Sequence, residues 1–97
     1  MRVIARSTLR EFWERHADAE QPLRAWFAEA DRARWKTPAD IRNAYAHASF
    51  VGNDRVVFNI GGNKYRLIVA IRYDLAIVYI RFVGTHAQYD RVDATSV

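Results

Sequence analysis

Residues 56–84 read VVFNIGGNKYRLIVAIRYDLAIVYIRFVG, and this stretch decides the fold. Val, Ile, Tyr and Phe dominate it, and these side chains fit a pleated, half-buried surface. Two breaks divide it. Gly61-Gly62 is a hairpin signal, because glycine adopts without steric cost the positive φ that tight hairpin turns need. Asp74-Leu75 reads as a second tight turn. The stretch therefore predicts three antiparallel strands: Val56–Ile60, Asn63–Tyr73, and Leu75 or Ala76 to Gly84.

Hairpin register sorts these strands into two faces. A two-residue Gly61-Gly62 loop pairs Ile60 with Asn63, Phe58 with Tyr65 and Val57 with Arg66. A loop at Asp74-Leu75 pairs Tyr73 with Ala76, Arg72 with Ile77, Ala70 with Tyr79 and Ile68 with Arg81. One face then carries Phe58, Ile60, Tyr65, Leu67, Val69, Ile71, Val78, Ile80 and Phe82, nearly all apolar, and must be covered by helices. The other carries Asn59, Lys64, Arg66, Ile68, Ala70, Arg72, Tyr79 and Arg81. On it Arg66 and Arg81 fall diagonally close, a like-charge arrangement that solvent, a carboxylate or an anionic ligand must offset.

Upstream, the period changes to that of helices. Val3–Ala5 is a short first strand. Leu9, Phe12, Trp13 and His16 recur at helical spacing, which predicts a helix over 8–16 with Ser7 or Thr8 as its cap. Pro22 opens a second helix through Leu23, Trp26, Phe27, Ala30 and Ala33 or Arg34, with Trp35-Lys36-Thr37-Pro38 ending it. Thr37 caps a third, with Pro38 at its first position and Ile41 and Tyr45 on one side. Tyr45–Phe50 reads equally as loop or short strand, and Asp93–Val97 as a frayed tail. The expected fold class is α+β in one domain, residues 1–97, with the aromatic stripes Phe12/Trp13 and Trp26/Phe27 as core or partner surface.

Composition narrows the chemistry. The chain of 97 residues has a formal net charge of +4 and no cysteine, which excludes disulfides and thiolate metal sites. Lys36 and Lys64 are its only lysines, so arginine carries the positive charge, and its planar fork matches phosphate oxygens. His16, His47 and His86 have no metal-ligand spacing, and Gly61-Gly62-Asn63 lacks the pattern of a phosphate-binding loop. No apolar run approaches the length of a membrane span, and the expected location is cytoplasmic.

The last strand leads into Thr85-His86-Ala87-Gln88-Tyr89-Asp90. If a helical turn forms there, His86 and Tyr89 share a face. Histidine suits proton transfer near neutral pH. Beside a basic sheet face, this combination fits metal-independent RNA cleavage. In that reading Arg66 and Arg81 stabilise phosphate charge, and His86 transfers a proton. Tyr89 or Tyr79 stacks on a base, and Lys64 and Arg72 position phosphates. The competing reading is an ordinary solvated sheet face, with Thr85 capping a turn whose bonds Gln88 or Asp90 completes.

The segments VFNIGGNKYRLI (57–68) and VYIRFVGTHAQYD (78–90), with Trp35-Lys36-Thr37-Pro38 and Ile41-Arg42 before them, closely resemble the HigB toxin family of the RelE/ParE-like superfamily. The resemblance covers nearly the whole chain. It implies a small RelE-like fold, a curved antiparallel sheet with N-terminal helices on one face. It also implies the toxin of a type II toxin–antitoxin pair, a ribosome-dependent mRNA endonuclease that needs no cofactor. The implied partners are mRNA, the ribosome and a HigA-like helix-turn-helix antitoxin, with promoter DNA reached only through the antitoxin. The positions matching the family's active cleft are Arg66, Arg81, His86 and Tyr89. Gln88 departs from the Glu often found at its position, and Arg24, Arg32 and Arg34 are candidates for rRNA contacts. Two other readings stand beside this one: a gyrase-inhibiting toxin of the same superfamily, and a non-catalytic RNA- or protein-binding module.

Overall fold

The computed structural model describes all of residues 1–97. A five-stranded sheet forms from β1 (Arg2–Ile4), β2 (Ser49–Val51), β3 (Arg55–Ile60), β4 (Tyr65–Arg72) and β5 (Ile77–Thr85). Its strand order is β1-β5-β4-β3-β2. The helices are α1 (Arg6–Arg15), α2 (Glu20–Arg32), α3 (Pro38–Ala44) and the single turn α4 (His86–Tyr89), with a 3-10 turn at Ala17–Ala19. The α+β class is as expected, with the sheet open and the long helices on one face. The sheet is mixed rather than wholly antiparallel: β1 runs parallel to β5, pairing Arg2 with Ile77 and Ile4 with Tyr79. A parallel neighbour is possible there because α1 to α3 separate β1 from the rest of the sheet in sequence.

The helical periodicities select the core. Leu9 and Trp13 of α1 and Leu23, Trp26 and Ala30 of α2 are buried. They meet Val56, Phe58, Ile60, Tyr65, Leu67, Val69, Ile71 and Val78 from the sheet in one cluster. Trp26 packs edge-on against Phe58 at 5.4 Å, and Tyr45 meets the same ring at 5.1 Å. At the sequence-predicted start of α3, the Asp40 carboxylate accepts from the backbone N–H groups of Lys36 and Thr37. The cap expected from Ser7 or Thr8 is not made. Helix α1 begins at Arg6, and those residues lie inside it. The ambiguous Tyr45–Phe50 segment ends in a strand, with Ser49 paired to Val57.

Two registers differ from expectation. The first hairpin has a four-residue loop, with Ile60 opposite Tyr65 and Phe58 opposite Leu67. The shift is two residues, so the paired side chains of β3 and β4 keep their expected faces, while Lys64, expected on the outward face, falls in the loop. Tyr65 is fixed opposite Ile60 by its contacts on the helix side, edge-on to Phe12 at 5.3 Å and with its hydroxyl donating to Asp18. The second register agrees from Arg72–Ile77 through Val69–Ile80 and then slips by one at a bulge. Arg81 has no partner, Phe82 lies opposite Ile68, and Val83 opposite Leu67. An odd shift changes faces. Phe82, expected in the core, therefore lies on the face away from the helices, and Val83 takes its place against the core.

Bulge and glycine are coupled. A Cβ on Gly84 would lie 2.5 Å from Phe82 Cζ and 2.8 Å from Gln88 Oε1. The relocated phenyl ring and the Gln88 amide therefore occupy the space a side chain at position 84 would fill, and both must turn aside for anything larger than glycine.

Candidate functional site

The outward sheet face is built from the alternate residues of β3, β4 and β5. Across it run the ladders Asn59–Arg66–Gly84, Val57–Ile68–Phe82 and Arg55–Ala70–Tyr79. Arg66 sits at the end where β5 enters α4. Its Nη2 donates to Asn63 Oδ1 at 2.8 Å, and its Nη1 to the Asn63 and Tyr65 carbonyls at 3.3 and 3.2 Å. The four-residue loop thus orients the guanidinium. The guanidinium carbon lies 5.9 Å from the centre of the Tyr89 ring, within reach of a cation–π attraction.

Tyr89 is there because Thr85 caps α4. Thr85 Oγ1 accepts from Gln88 N–H at 3.2 Å, and Gln88 Oε1 accepts from Thr85 N–H at 2.9 Å. This reciprocal pair is a capping box, in which Gln serves as well as Glu, so the departure at position 88 leaves the turn intact. His86 occupies the first position of the turn and is exposed. It borders a groove with Arg15, His16, Asp18, Lys64 and Tyr65, where the end of α1 and the turn after it meet the loop between β3 and β4. Tyr89 and Arg66 are on the outward face, and His86 is at its rim.

Arg81 is exposed at the bulge, with its Nε donating to the Val97 main-chain oxygen at 3.1 Å. The C-terminal residues are therefore not frayed. Thr95 N–H and Oγ1–H both donate to Asp93 Oδ1, at 2.9 and 2.6 Å, and the Ser96 and Val97 N–H groups donate to the Asp93 carbonyl. Asn53 Nδ2 fixes the Thr95 carbonyl at 2.9 Å. These hydrogen bonds hold Asp93 below the usual carboxylate range, Thr95 contributing most.

The remaining expected residues are dispersed. Lys64 does not join the outward face. It donates to Asp18 in the turn between α1 and α2, and the same carboxylate accepts from Tyr65. The Lys64 and then the Tyr65 hydrogen bonds hold Asp18 below its usual range, and Asp18 in turn pushes both partners up. Arg72 is paired to Asp74 through two bonds, 3.1 and 3.0 Å. It also stands six residues along β4 from Arg66, roughly 20 Å at strand rise. Tyr79 is half-buried on the outward face opposite Ala70, at the Arg72 end. Arg24 bonds Glu20 at 2.8 Å and stacks over Trp13, so it is largely committed within the helices.

Two residues escaped the sequence reading. Asn63, read as the first residue of a strand, is the loop residue that holds Arg66. Arg55, one residue before the expected start of β3, donates from Nε and Nη2 to the Val97 oxygen at 3.3 and 3.0 Å. Period-two alternation backward from Asn59 through Val57 would have placed it on the Arg66 face. The ion pairs of the chain are Arg24–Glu20, Lys64–Asp18 and Arg72–Asp74. Arg66 is thus an outward-facing cation without a carboxylate partner, while Arg55 and Arg81 converge on the Val97 main-chain oxygen. No group of three or more His, Asp or Glu side chains is placed to hold a metal ion, and no helix is long and apolar enough to cross a membrane.

Comparison with known proteins gives this arrangement a context. A family model described as HigB_toxin, RelE-like toxic component of a toxin-antitoxin system, matches residues 19–92. The chain is 27% identical over 92 residues to the mRNA interferase toxin HigB of Escherichia coli strain K12, covering 93% of this chain and 88% of that protein. The same identity and coverage hold for the mRNA interferase HigB of Escherichia coli O157:H7 and that of Shigella flexneri.

Proposed function

The chain belongs to the HigB toxin family, the RelE-like toxic component of a toxin–antitoxin system, and from that premise we propose that it is a ribosome-dependent mRNA endonuclease restrained by a HigA-like helix-turn-helix antitoxin. The observation that carries the reading is the Arg66–Tyr89 pair, 5.9 Å apart, with His86 one helical turn from Tyr89 on a capped α4. The relatives' description as mRNA interferases supports the substrate.

The reaction uses the RNA's own 2′-hydroxyl. A base removes its proton, and the 2′-oxygen forms a bond to the adjacent phosphorus. The bond from phosphorus to the 5′-oxygen breaks, and an acid protonates that oxygen. The products are a 2′,3′-cyclic phosphate and a 5′-hydroxyl. Negative charge gathers on the non-bridging oxygens in the transition state, where positioned guanidiniums are most effective. Arg66, oriented by Asn63, and Arg81, on the bulge, supply that charge. His86 is the proton-transfer group, since an imidazole can both accept and donate a proton and it stands exposed at the rim. Lys64 is unsuited to act as base, because its bond to Asp18 pushes its pKa up and keeps it charged. Tyr89 offers an aromatic face for a base, 5.9 Å from the Arg66 guanidinium carbon.

The test is an active translation reaction supplied with the protein, with mRNA 5′ ends mapped by primer extension. New ends that require ribosomes and disappear with His86→Ala and Arg81→Ala are expected. Intact mRNA with unimpaired translation overturns the reading and makes gyrase the next target to assay.

A further inference from the structure

Cleavage through the 2′-hydroxyl needs two proton transfers, one from that hydroxyl and one to the 5′-oxygen, and His86 is a single group. The groove it borders holds a second imidazole. His16 follows the last residue of α1, where its N–H donates to the Phe12 carbonyl at 3.0 Å. Its ring stacks on Phe12, with centroids 4.3 Å apart, and meets the Tyr65 ring edge-on at 5.6 Å. Tyr65 stands opposite Thr85 across β4 and β5, and His86 follows Thr85 in the chain. The two imidazoles thus reach one end of the sheet from different elements, and both line the same groove.

Two aromatic rings fix the plane of His16, so it is oriented before any substrate arrives. The side chain is only half-buried, and its ring nitrogens are neither bonded within the chain nor sealed from solvent. An apolar ring would fill the same space, so the packing alone does not call for an imidazole. The other polar groups of the groove are poorly suited to carry the second proton. Lys64 and Tyr65 both donate to Asp18, and those bonds hold the Asp18 carboxyl below its usual range, which makes it a weak base. Arg15 does not give up its proton. It is exposed and has no carboxylate partner, so it adds positive charge to a groove that would receive a phosphate.

We infer that His16 is the second proton-transfer group of the cleavage, working across the groove from His86. The inference rests on the endonuclease reading and deepens it. One imidazole, entering neutral, takes the 2′-hydroxyl proton as the 2′-oxygen bonds to phosphorus. The other, entering as imidazolium, gives its proton to the 5′-oxygen as the bond from phosphorus to that oxygen breaks. Each ends in the opposite protonation state, and exchange with water resets both.

The test is single-turnover cleavage of a short synthetic mRNA programmed on ribosomes, with either oxygen or sulfur as the 5′ bridging atom at the mapped position. A thiolate leaves without protonation, because a thiol is far more acidic than an alcohol. Sulfur therefore restores a variant that lacks the acid but not one that lacks the base. His16→Phe keeps a ring against Phe12 and Tyr65 yet cannot carry a proton. His16→Gln, polar and equally unable to cycle a proton, is measured beside it, and thermal melting checks that both are folded. Each is expected to cut the all-oxygen message about 100-fold or more slowly, the scale of general acid–base catalysis. Of the His16 and His86→Ala variants, one and only one is expected to recover on the sulfur message. A folded His16→Phe or His16→Gln variant that cuts at the parent's rate overturns the inference. So does recovery at both positions or at neither. The two failures separate: a parent that cuts beside an equally active His16 variant overturns this inference alone. A parent that leaves the ribosome-bound message intact overturns the endonuclease reading and the role of His16 with it.

Discussion

Gly84→Ala removes no contact, yet it is expected to be among the more damaging single-methyl changes in the chain. The added carbon would lie 2.5 Å from Phe82 Cζ and 2.8 Å from Gln88 Oε1, both inside van der Waals contact. Either the phenyl ring leaves its seat beside Ile68 or the β5–α4 junction opens. Overpacking of this kind costs about 1–3 kcal/mol. Displacing Gln88 from its bond to Thr85 N–H weakens a cap worth about 0.5–2 kcal/mol. Together the change is expected to cost about 2–4 kcal/mol. For a chain of this size each kcal/mol lowers Tm by about 4–8 °C. Urea denaturation gives the free energy, and a double-mutant cycle with Phe82→Leu identifies the cause. If ring and methyl compete for one space, Gly84→Ala costs at least about 1 kcal/mol less in the Phe82→Leu background. A cost below about 0.5 kcal/mol, the range of an inert surface change, refutes the account of the bulge. So does an equal cost in both backgrounds. The same substitution moves α4, so cleavage is expected to fall with His86 and Tyr89 otherwise unaltered.

Other consequences follow from single contacts. Asn63→Ala frees the Arg66 guanidinium without touching the core; ribosome-dependent cleavage is expected to drop about tenfold while the denaturation midpoint barely moves, the loss of one oriented hydrogen bond. Trp26→Ala is expected to cost about 3–5 kcal/mol in a denaturant titration. Trp26→Phe should cost far less, because the buried indole N–H has no partner and its removal offsets the lost area. The Asp18 carboxyl is held below its usual range by Lys64 first and Tyr65 second. As pH falls, the unfolded chain therefore takes up that proton before the native one. The stabilisation is complete above the ordinary carboxylate pKa, roughly 4, and is lost as pH drops through the lower native value. Asp18→Asn is thus expected to flatten the acid limb of stability against pH, and an unchanged limb would remove the Lys64–Asp18–Tyr65 bridge from the account.

Much of this was legible in residues 56–84 because the sheet face packed on the helices imposes alternation. Even the wrong Gly61-Gly62 loop length, an error of two residues, left Phe58, Ile60, Tyr65 and Leu67 on the correct face. The bulge at Arg81 was not legible, since an extra residue in a strand leaves the local run of Val, Tyr, Ile, Phe unchanged. It moved Phe82 out of the core and onto the face where Gly84, two residues on, leaves room for the ring. The parallel pairing of β1 depends on where three helices return the chain, which no local pattern encodes. Within the site, the turn bearing His86 and Tyr89 could be read from Thr85 and Gln88, a local capping signal. The commitment of Lys64 to Asp18, 46 residues away, and the return of residues 93–97 across Arg55 and Arg81 are long-range contacts between polar groups, invisible to periodicity.

The most direct measurement concerns the chemistry itself. An mRNA carrying a single 2′-deoxy nucleotide at a mapped cleavage position is translated in the presence of the protein, beside its all-ribose counterpart, and the fragment ends are analysed by mass spectrometry. The account predicts a 2′,3′-cyclic phosphate and a 5′-hydroxyl from the ribose message, formed only when ribosomes are present, and no cut at the deoxy position. Cleavage that continues at the deoxy nucleotide, or fragments ending in a 3′-hydroxyl and a 5′-phosphate, would contradict it.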